Sequence, residues 1–260
     1  MGIESGLFVI IPHSGTEIPV ELEAANFKKN AIKQIDKEID LFTDKLYDFK
    51  PIFKNKDIIF KYHRGLIDVN RSPAKLDESI PVTTFINTPI YIKPPSKEER
   101  QQLGEKYFNP FHEKTTGMIN RMKPLLILDA HSTHNGDVDG YGDRFENDIS
   151  LGSYQETEQD TGGITRTCSD ELIELYAENL QKELPSIKIG INTKYLSRTY
   201  GYIEERYTKL AVQNIPLILQ ETNEKLYTSK NELDELKCRE LRRCCALALS
   251  KTMRKIDRSN

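Results

Sequence analysis

Apolar residues recur along this chain in two rhythms. Five short runs, Leu7–Pro12, Asp57–Tyr62, Leu125–Asp129, Ile187–Ile191 and Pro216–Glu221, are too short for a typical helix. They are rich in Ile, Leu or Val, as strands buried on both faces are. Longer segments instead repeat apolar positions every three or four residues. Ile32 to Phe49 carries Ile32, Ile35, Ile39, Phe42 and Leu46 at that spacing and predicts one helix. Ser96 to Met122 predicts a second, opening on Ser96 and Glu99 as a capping box just after Pro94 and Pro95. Ser169 to Leu184 predicts a third, and Ser229 with Glu232 caps a long C-terminal one. Strands alternating with helices predict an α/β sandwich with a largely parallel sheet. No repeat and no linker divides the chain, so residues 1–260 read as a single domain. The stretch 133–166, rich in Gly, Asp, Thr and Ser with little periodicity, predicts a long loop, either a lid over a site or a surface insertion.

Composition narrows the class of function. Hydrophobic residues make up 37% and charged residues 30%, the balance of a folded soluble protein. Lys and Arg total 37 against 40 Asp and Glu, a formal net charge of -3. A protein that works by neutralising phosphates needs a basic surplus, so nucleic acid is not the expected partner. No apolar run approaches the roughly 18 residues needed to span a bilayer, and Leu7–Ile11 lacks the basic flank of a signal segment. The four cysteines, Cys168, Cys238, Cys244 and Cys245, have neither metal-ligand spacing nor a disulfide framework. The expected location is cytoplasmic.

Candidate chemistry enters through the strand ends. The first run leads into His13, the third into His131, and the last into Glu221. If those strands are parallel, all three residues emerge at the carboxyl edge of the sheet, where open α/β folds place their sites. Two imidazoles and a carboxylate gathered there suggest a Zn2+ site with an open coordination position. A third protein ligand is required, and Glu17, Glu38 and Asp40 are all near His13 in sequence. Glu38 and Asp40 fall in the predicted helix 32–49, where residues two apart point in different directions. Spacing alone leaves the choice open. Further along, Arg64 and Arg71 in the segment 64–73 are placed to clamp an anionic group such as a carboxylate, with Asp68 able to orient one of them. Tyr200-Gly201-Tyr202 offers two phenols and a flexible backbone near a possible pocket.

An ordered set of motifs then becomes apparent. Ile11-Pro12-His13-Ser14-Gly15-Thr16-Glu17-Ile18-Pro19, Asp40 ahead of Leu46-Tyr47-Asp48-Phe49, and Arg64…Asp68-x-Asn70-Arg71 come first. Thr83-Thr84-Phe85, Pro89-x-Tyr91, Tyr107-x-x-Pro110-Phe111-His112 and Leu128-Asp129-Ala130-His131-Ser132 follow. Gly201-Tyr202-Ile203 and Leu219-Gln220-Glu221 ahead of Tyr227 complete the series. Together they resemble the N-formylglutamate amidohydrolase family over nearly the whole chain.

The resemblance implies a three-layer α/β sandwich with a mostly parallel mixed sheet, related to zinc-dependent exopeptidases and phosphorylase/hydrolase-like folds. It implies hydrolysis of the amide of a small N-acyl amino acid, as when N-formyl-L-glutamate yields formate and glutamate in histidine catabolism. It implies that His13, Asp40 and His131 hold Zn2+ (or Mn2+, Co2+ or Fe2+) and that Glu221 is the general base. On this reading Arg64, Asn70, Arg71 and Tyr202 bind the substrate, and His112 is an orienting partner or proton donor. The same chemistry on a peptide or peptidoglycan-type amide is the nearest alternative. A catalytically silent ligand-binding module is the other. Oligomeric state has no signature in the sequence.

Overall fold

The computed structural model describes residues 6–22, 26–134, 147–156, 164–193, 202–203, 206–207 and 215–259. Its centre is a six-stranded sheet. The strands are β1 (Leu7–Ile11), β2 (Lys56–Ile59), β3 (Leu126–Thr133), β4 (Ile149–Gly152), β7 (Ile189–Ile191) and β8 (Leu217–Asn223). They lie in the order β2-β1-β3-β8-β4-β7. The first four run parallel, β4 runs antiparallel to β8, and β7 runs parallel to β4. β5 (Tyr154–Glu156) pairs with β6 (Ile164–Arg166) outside the main sheet.

Alternation along the strands explains the layering. In β1, Leu7, Val9 and Ile11 pack into one core, and Phe8 and Ile10 into another on the opposite face. The first core is closed by α6 (Asp170–Glu183) and α7 (Glu235–Ser259), through Ile173, Tyr176, Leu180, Leu241, Cys245 and Leu249. The second is closed by α1 (Ala31–Ile35), α4 (Lys97–Leu103) and α5 (Asn109–Met122), through Ile35, Leu103, Phe111 and Ile119. The molecule is therefore a three-layer α/β sandwich, with a mostly parallel mixed sheet between two helical layers. Among the described residues no helix is long and apolar enough to cross a membrane.

Several elements follow the sequence reading. Ser96 and Glu99 form the reciprocal capping box, with bonds of 2.7 and 3.2 Å, and Ser169 accepts from Leu172 N at the start of α6. Others depart from it. The predicted helix 32–49 is broken: α1 passes into a 3-10 turn, Asp36–Glu38, Ile39 is extended, and Phe42 takes a left-handed φ of 58° before α2 (Thr43–Leu46). The Asp40 N–H donates to the His13 carbonyl at 3.0 Å instead of to a helical carbonyl, which takes the chain off the helix axis. Ser229 and Glu232 do not cap the C-terminal helix. They face each other across a two-stranded hairpin, β9 (Thr228–Ser229) with β10 (Glu232–Leu233). Lys230 and Asn231 at its tip both have positive φ, as a tight hairpin turn requires. The cap is Asp234, whose carboxylate accepts from Lys237 N at 3.1 Å. The stretch 133–166, expected as a loop, supplies β4 to the central sheet and holds the β5–β6 pair. Its residues 135–146 and 157–163 lie outside the described residues.

Candidate active site

β1, β3 and β8 are parallel neighbours, so their carboxyl ends deliver His13, His131 and Glu221 to one edge. His131 and Glu221 are direct register partners. Side chains alternate along β3, so Asp129 and His131 share one face, the same face that Ile127 buries in the second core. Asp40 arrives from the break between α1 and α2, anchored by its N–H on the carbonyl of His13.

These residues converge. One potential ligand atom from each of His13, Asp40 and His131 lies within 4.8 Å of the others, and all three residues are buried. Asp40 Oδ2 is 3.0 Å from His131 Nδ1, 3.5 Å from His13 Nδ1, and accepts from Ser132 N at 3.2 Å. The two imidazoles meet edge to face with ring centroids 4.8 Å apart. His13 Nε2 lies 2.9 Å from Asp68 Oδ1. A carboxylate can only accept, so Nε2 donates there. His131 Nε2 lies 3.1 Å from Asp129 Oδ1 and 3.4 Å from Asn70 Nδ2. Each imidazole thus has a carboxylate behind it, the arrangement that orients metal-ligating histidines.

The residues fit a divalent ion on a further count. Among the buried side-chain atoms left without a hydrogen-bond partner are His13 Nδ1, Asp129 Oδ2 and Glu221 Oε2. Buried polar atoms are normally satisfied, and these three stand on or beside the His13–Asp40–His131 group. Two imidazole nitrogens and one carboxylate also form a donor set that zinc accepts. Glu17 and Glu38 stand apart from this group. Glu17 pairs with Lys61 at the surface, and Glu38 accepts from Phe85 N at 2.7 Å.

The electrostatics follow from burial and pairing. Burial alone would raise Asp40, but the His13 and His131 rings hold it well below the usual carboxylate range. Burial would lower His131, yet Asp129 and Asp40 hold it well above the ordinary value. Glu221 is pushed up to about 8, chiefly by desolvation, with Asp40 and Asp129 adding to the rise and His131 and Arg64 opposing it. Asp68 is held well below its ordinary value by Arg64 and His13, against the effect of its burial.

The segment 64–71 surrounds this group. Arg64 Nη2 donates to Asp68 Oδ2 at 2.9 Å, Nη1 lies 3.4 Å from Asp40 Oδ1, and the Phe85 ring sits over the guanidinium at 4.8 Å. Both ends and one face of Arg64 are thereby engaged within the protein. Arg71, whose side chain is 31% exposed, keeps only a 3.7 Å approach to Asp68 and is the more accessible cation. Asn70 Oδ1 accepts from Ile203 N at 3.0 Å, and the Asn70 carbonyl accepts from Tyr202 N at 3.1 Å. The Tyr202 ring packs edge-on against His112, and its hydroxyl accepts from Arg206 Nη1 at 2.9 Å. His112 is committed on both sides: Nε2 donates to the Val69 carbonyl at 2.9 Å and Nδ1 accepts from the Tyr207 hydroxyl at 2.8 Å. Burial and the Arg206 charge lower it to about 3, so it stays neutral. It braces the backbone beside Asn70.

Sequence reasoning passed over Asp68 as the partner of His13, Asp129 as the neighbour of His131, and Arg206. Only Asp129 carried a signal, since a residue two positions before His131 on a strand must share its face. A cavity of about 720 Å³ lined by residues such as Glu21, Leu22, Lys93 and Lys106 shares no residue with this group.

The model of the N-formylglutamate amidohydrolase family matches residues 5–228. No curated protein matches the sequence significantly. Among solved structures, an N-formylglutamate amidohydrolase from Ralstonia eutropha JMP134 aligns with a TM-score of 0.74 at 19% identity, covering 98% of this chain and 95% of its own. A gene product from Agrobacterium tumefaciens aligns with a TM-score of 0.65 at 15% identity, covering 98% and 91%. At such identities these structures speak to the fold.

Proposed function

The chain belongs to the N-formylglutamate amidohydrolase family, and from that premise we propose that it is a metal-dependent amidohydrolase of small N-acyl amino acids resembling N-formyl-L-glutamate. The observation that carries the reading is the meeting of His13, Asp40 and His131 beside Glu221, the register partner of His131. His13, Asp40 and His131 would hold the ion, with Asp68 and Asp129 behind the two imidazoles. A Zn2+ ion held there supplies Lewis-acid polarisation of the amide carbonyl and acidifies water.

The protein's own groups account for the remaining steps. Glu221, with a buried oxygen that has no other partner, takes the proton of the attacking water and returns it to the departing nitrogen. An amide nitrogen leaves poorly unless protonated, so this delivery matters as much as the attack. Its elevated pKa suits that second half-step, while neighbouring cationic charge favours the ionised form needed for the first. Arg71 and Asn70 are placed to grip a substrate anion, and Tyr202 to wall the same side. Arg64 reaches Asp40 and Asp68 through its two terminal nitrogens while its Nε has no partner, so it can hold those acids and still offer a donor to a substrate anion.

The test is formate release from N-formyl-L-glutamate by the purified full-length chain, assayed with and without a chelator. Release that the chelator abolishes and Zn2+ restores supports the proposal. Release unaffected by complete metal removal overturns the metal, and no release by a zinc-loaded enzyme overturns the substrate.

A further inference from the structure

Leu41 follows Asp40 in the chain, and both of its backbone polar groups are taken by one short piece of chain. Its N–H donates to Glu224 Oε1 at 3.0 Å, and its carbonyl accepts from the Tyr227 hydroxyl at 2.7 Å. Glu224 opens the 3-10 turn Glu224–Leu226 that follows β8 directly, and Tyr227 ends it. Glu224 Oε1 also accepts from Ser132 Oγ at 3.1 Å, while Oε2 lies 2.9 Å from His134 Nδ1. Ser132 in turn donates its N–H to Asp40 Oδ2. One carboxylate therefore ties the residue after Asp40 to the residue after His131. It does so from the end of the strand that carries Glu221.

Glu224 is 4% exposed, and Tyr227 is fully buried. A carboxylate is costly to bury unless its oxygens are satisfied. The donors that satisfy this one, Leu41, Ser132 and His134, all lie on segments that carry candidate metal ligands. The chain around Asp40 needs such anchors, because Ile39 is extended and Phe42 is left-handed, so no helical ladder holds it. Neither Glu224 nor Tyr227 belongs to the His13–Asp40–His131 group.

We propose that Glu224, assisted by Tyr227, is a positioning residue that sets Asp40 and His131 relative to each other and to Glu221, so that the group meets a divalent ion preformed. The inference rests on the reading of that group as a metal site. It requires the hydrogen bonds of Glu224 and not its charge.

The test is calorimetric titration of Zn2+ into the chelator-stripped full-length chain, with thermal melts of the same samples. Glu224→Ala should weaken Zn2+ binding by about 10–100-fold, the usual cost of removing an outer partner of a metal site. Glu224→Gln should stay within about threefold of the parent, since an amide oxygen still accepts from Leu41 and Ser132. Tyr227→Phe should weaken binding several-fold. Parental affinity in Glu224→Ala, even with a lowered melting temperature, overturns the proposal by reducing Glu224 to a structural role. Equal losses in the Ala and Gln variants overturn it in favour of charge. Should Glu224→Ala fail to fold, Tyr227→Phe decides, and unchanged affinity there overturns the proposal. A parent chain that binds no divalent ion overturns both this inference and the metal reading. A parent that binds Zn2+ yet releases no formate overturns only the substrate assignment.

Discussion

Glu221 and His131 are matched across two parallel strands, yet their surroundings push them in opposite senses. Desolvation drives Glu221 towards its neutral form, whereas Asp129 and Asp40 hold His131 towards its charged form. A buried carboxyl raised as Glu221 is marks a candidate for acid–base chemistry. Glu221→Gln keeps size and drops the base. It should retain parental Zn2+ content while formate release falls by about 10²–10⁴-fold, measured as steady-state rate beside elemental analysis. Near-parental turnover would remove Glu221 from the reaction. At this scale the sequence exposes residues whose meaning depends on strand ends, such as His13, His131 and Glu221. It hides those whose meaning depends on contacts between distant segments. Arg64 reads as an anion clamp, and its contacts with Asp40 and Asp68 leave no sequence trace; His112 reads as an orienting partner or proton donor, and only the fold shows Val69 and Tyr207 occupying its two nitrogens.

Among the elements, the segment from α1 to α2 shows what periodicity does and does not reveal. Its apolar spacing correctly marks the face that packs inward, since Ile35, Ile39 and Leu46 are all buried. It conceals the interruption, because the cause is a backbone bond to His13 from another part of the chain. The interruption is what separates the two acids. Glu38, still in the 3-10 turn, reaches Phe85 N, and Asp40, beyond it, reaches the histidines. Asp40→Ala should therefore abolish stoichiometric Zn2+ binding, while Glu38→Ala should retain the ion and lose stability through the freed 84–88 turn. Metal analysis and thermal melts of the two variants distinguish these outcomes, and loss of the ion in Glu38→Ala alone would reverse the assignment. The capping box at Ser96 was legible because both partners are local. β4 was not, because a four-residue strand in a polar stretch takes its place from pairing with β8.

At the scale of the molecule, the fold holds histidines of opposing electrostatic tendency, His63 and His112 buried and His134 partly so. Burial lowers His63 to about 4 and His112 to about 3, from an unfolded value near 6.5. As pH falls below about 6.5 the unfolded chain takes up protons that these two refuse in the folded state, so their contribution to stability is lost on acidification. His134, raised by its bond to Glu224 in spite of burial, acts with the other sign: its contribution is present below about 6.5 and fades as pH rises. Opposing groups mute the pH dependence of the intact chain, and a single replacement unmasks it. Between pH 7 and pH 5, His63→Gln should reduce the loss of unfolding free energy by about 2 kcal/mol relative to the parent, read from urea unfolding at the two pH values. An unchanged difference would mean that His63 titrates normally in the folded chain. The α/β class, the two-sided burial of the central strands and the edge that bears the site were all readable from pattern. The order of strands was not, since pairing across long separations leaves no periodic trace.

The direction of β4 has a consequence for how such a molecule can diversify. Because β4 runs against β8, its first residue, Ile149, stands opposite Thr222, level with the edge where Glu221 emerges. β3 ends at that same edge. β3 therefore leaves the sheet after Thr133, and β4 re-enters it at Ile149, at the edge that carries Glu221. A change of length between those two strands would alter that edge while strand register and the His13–Asp40–His131 group stay as they are.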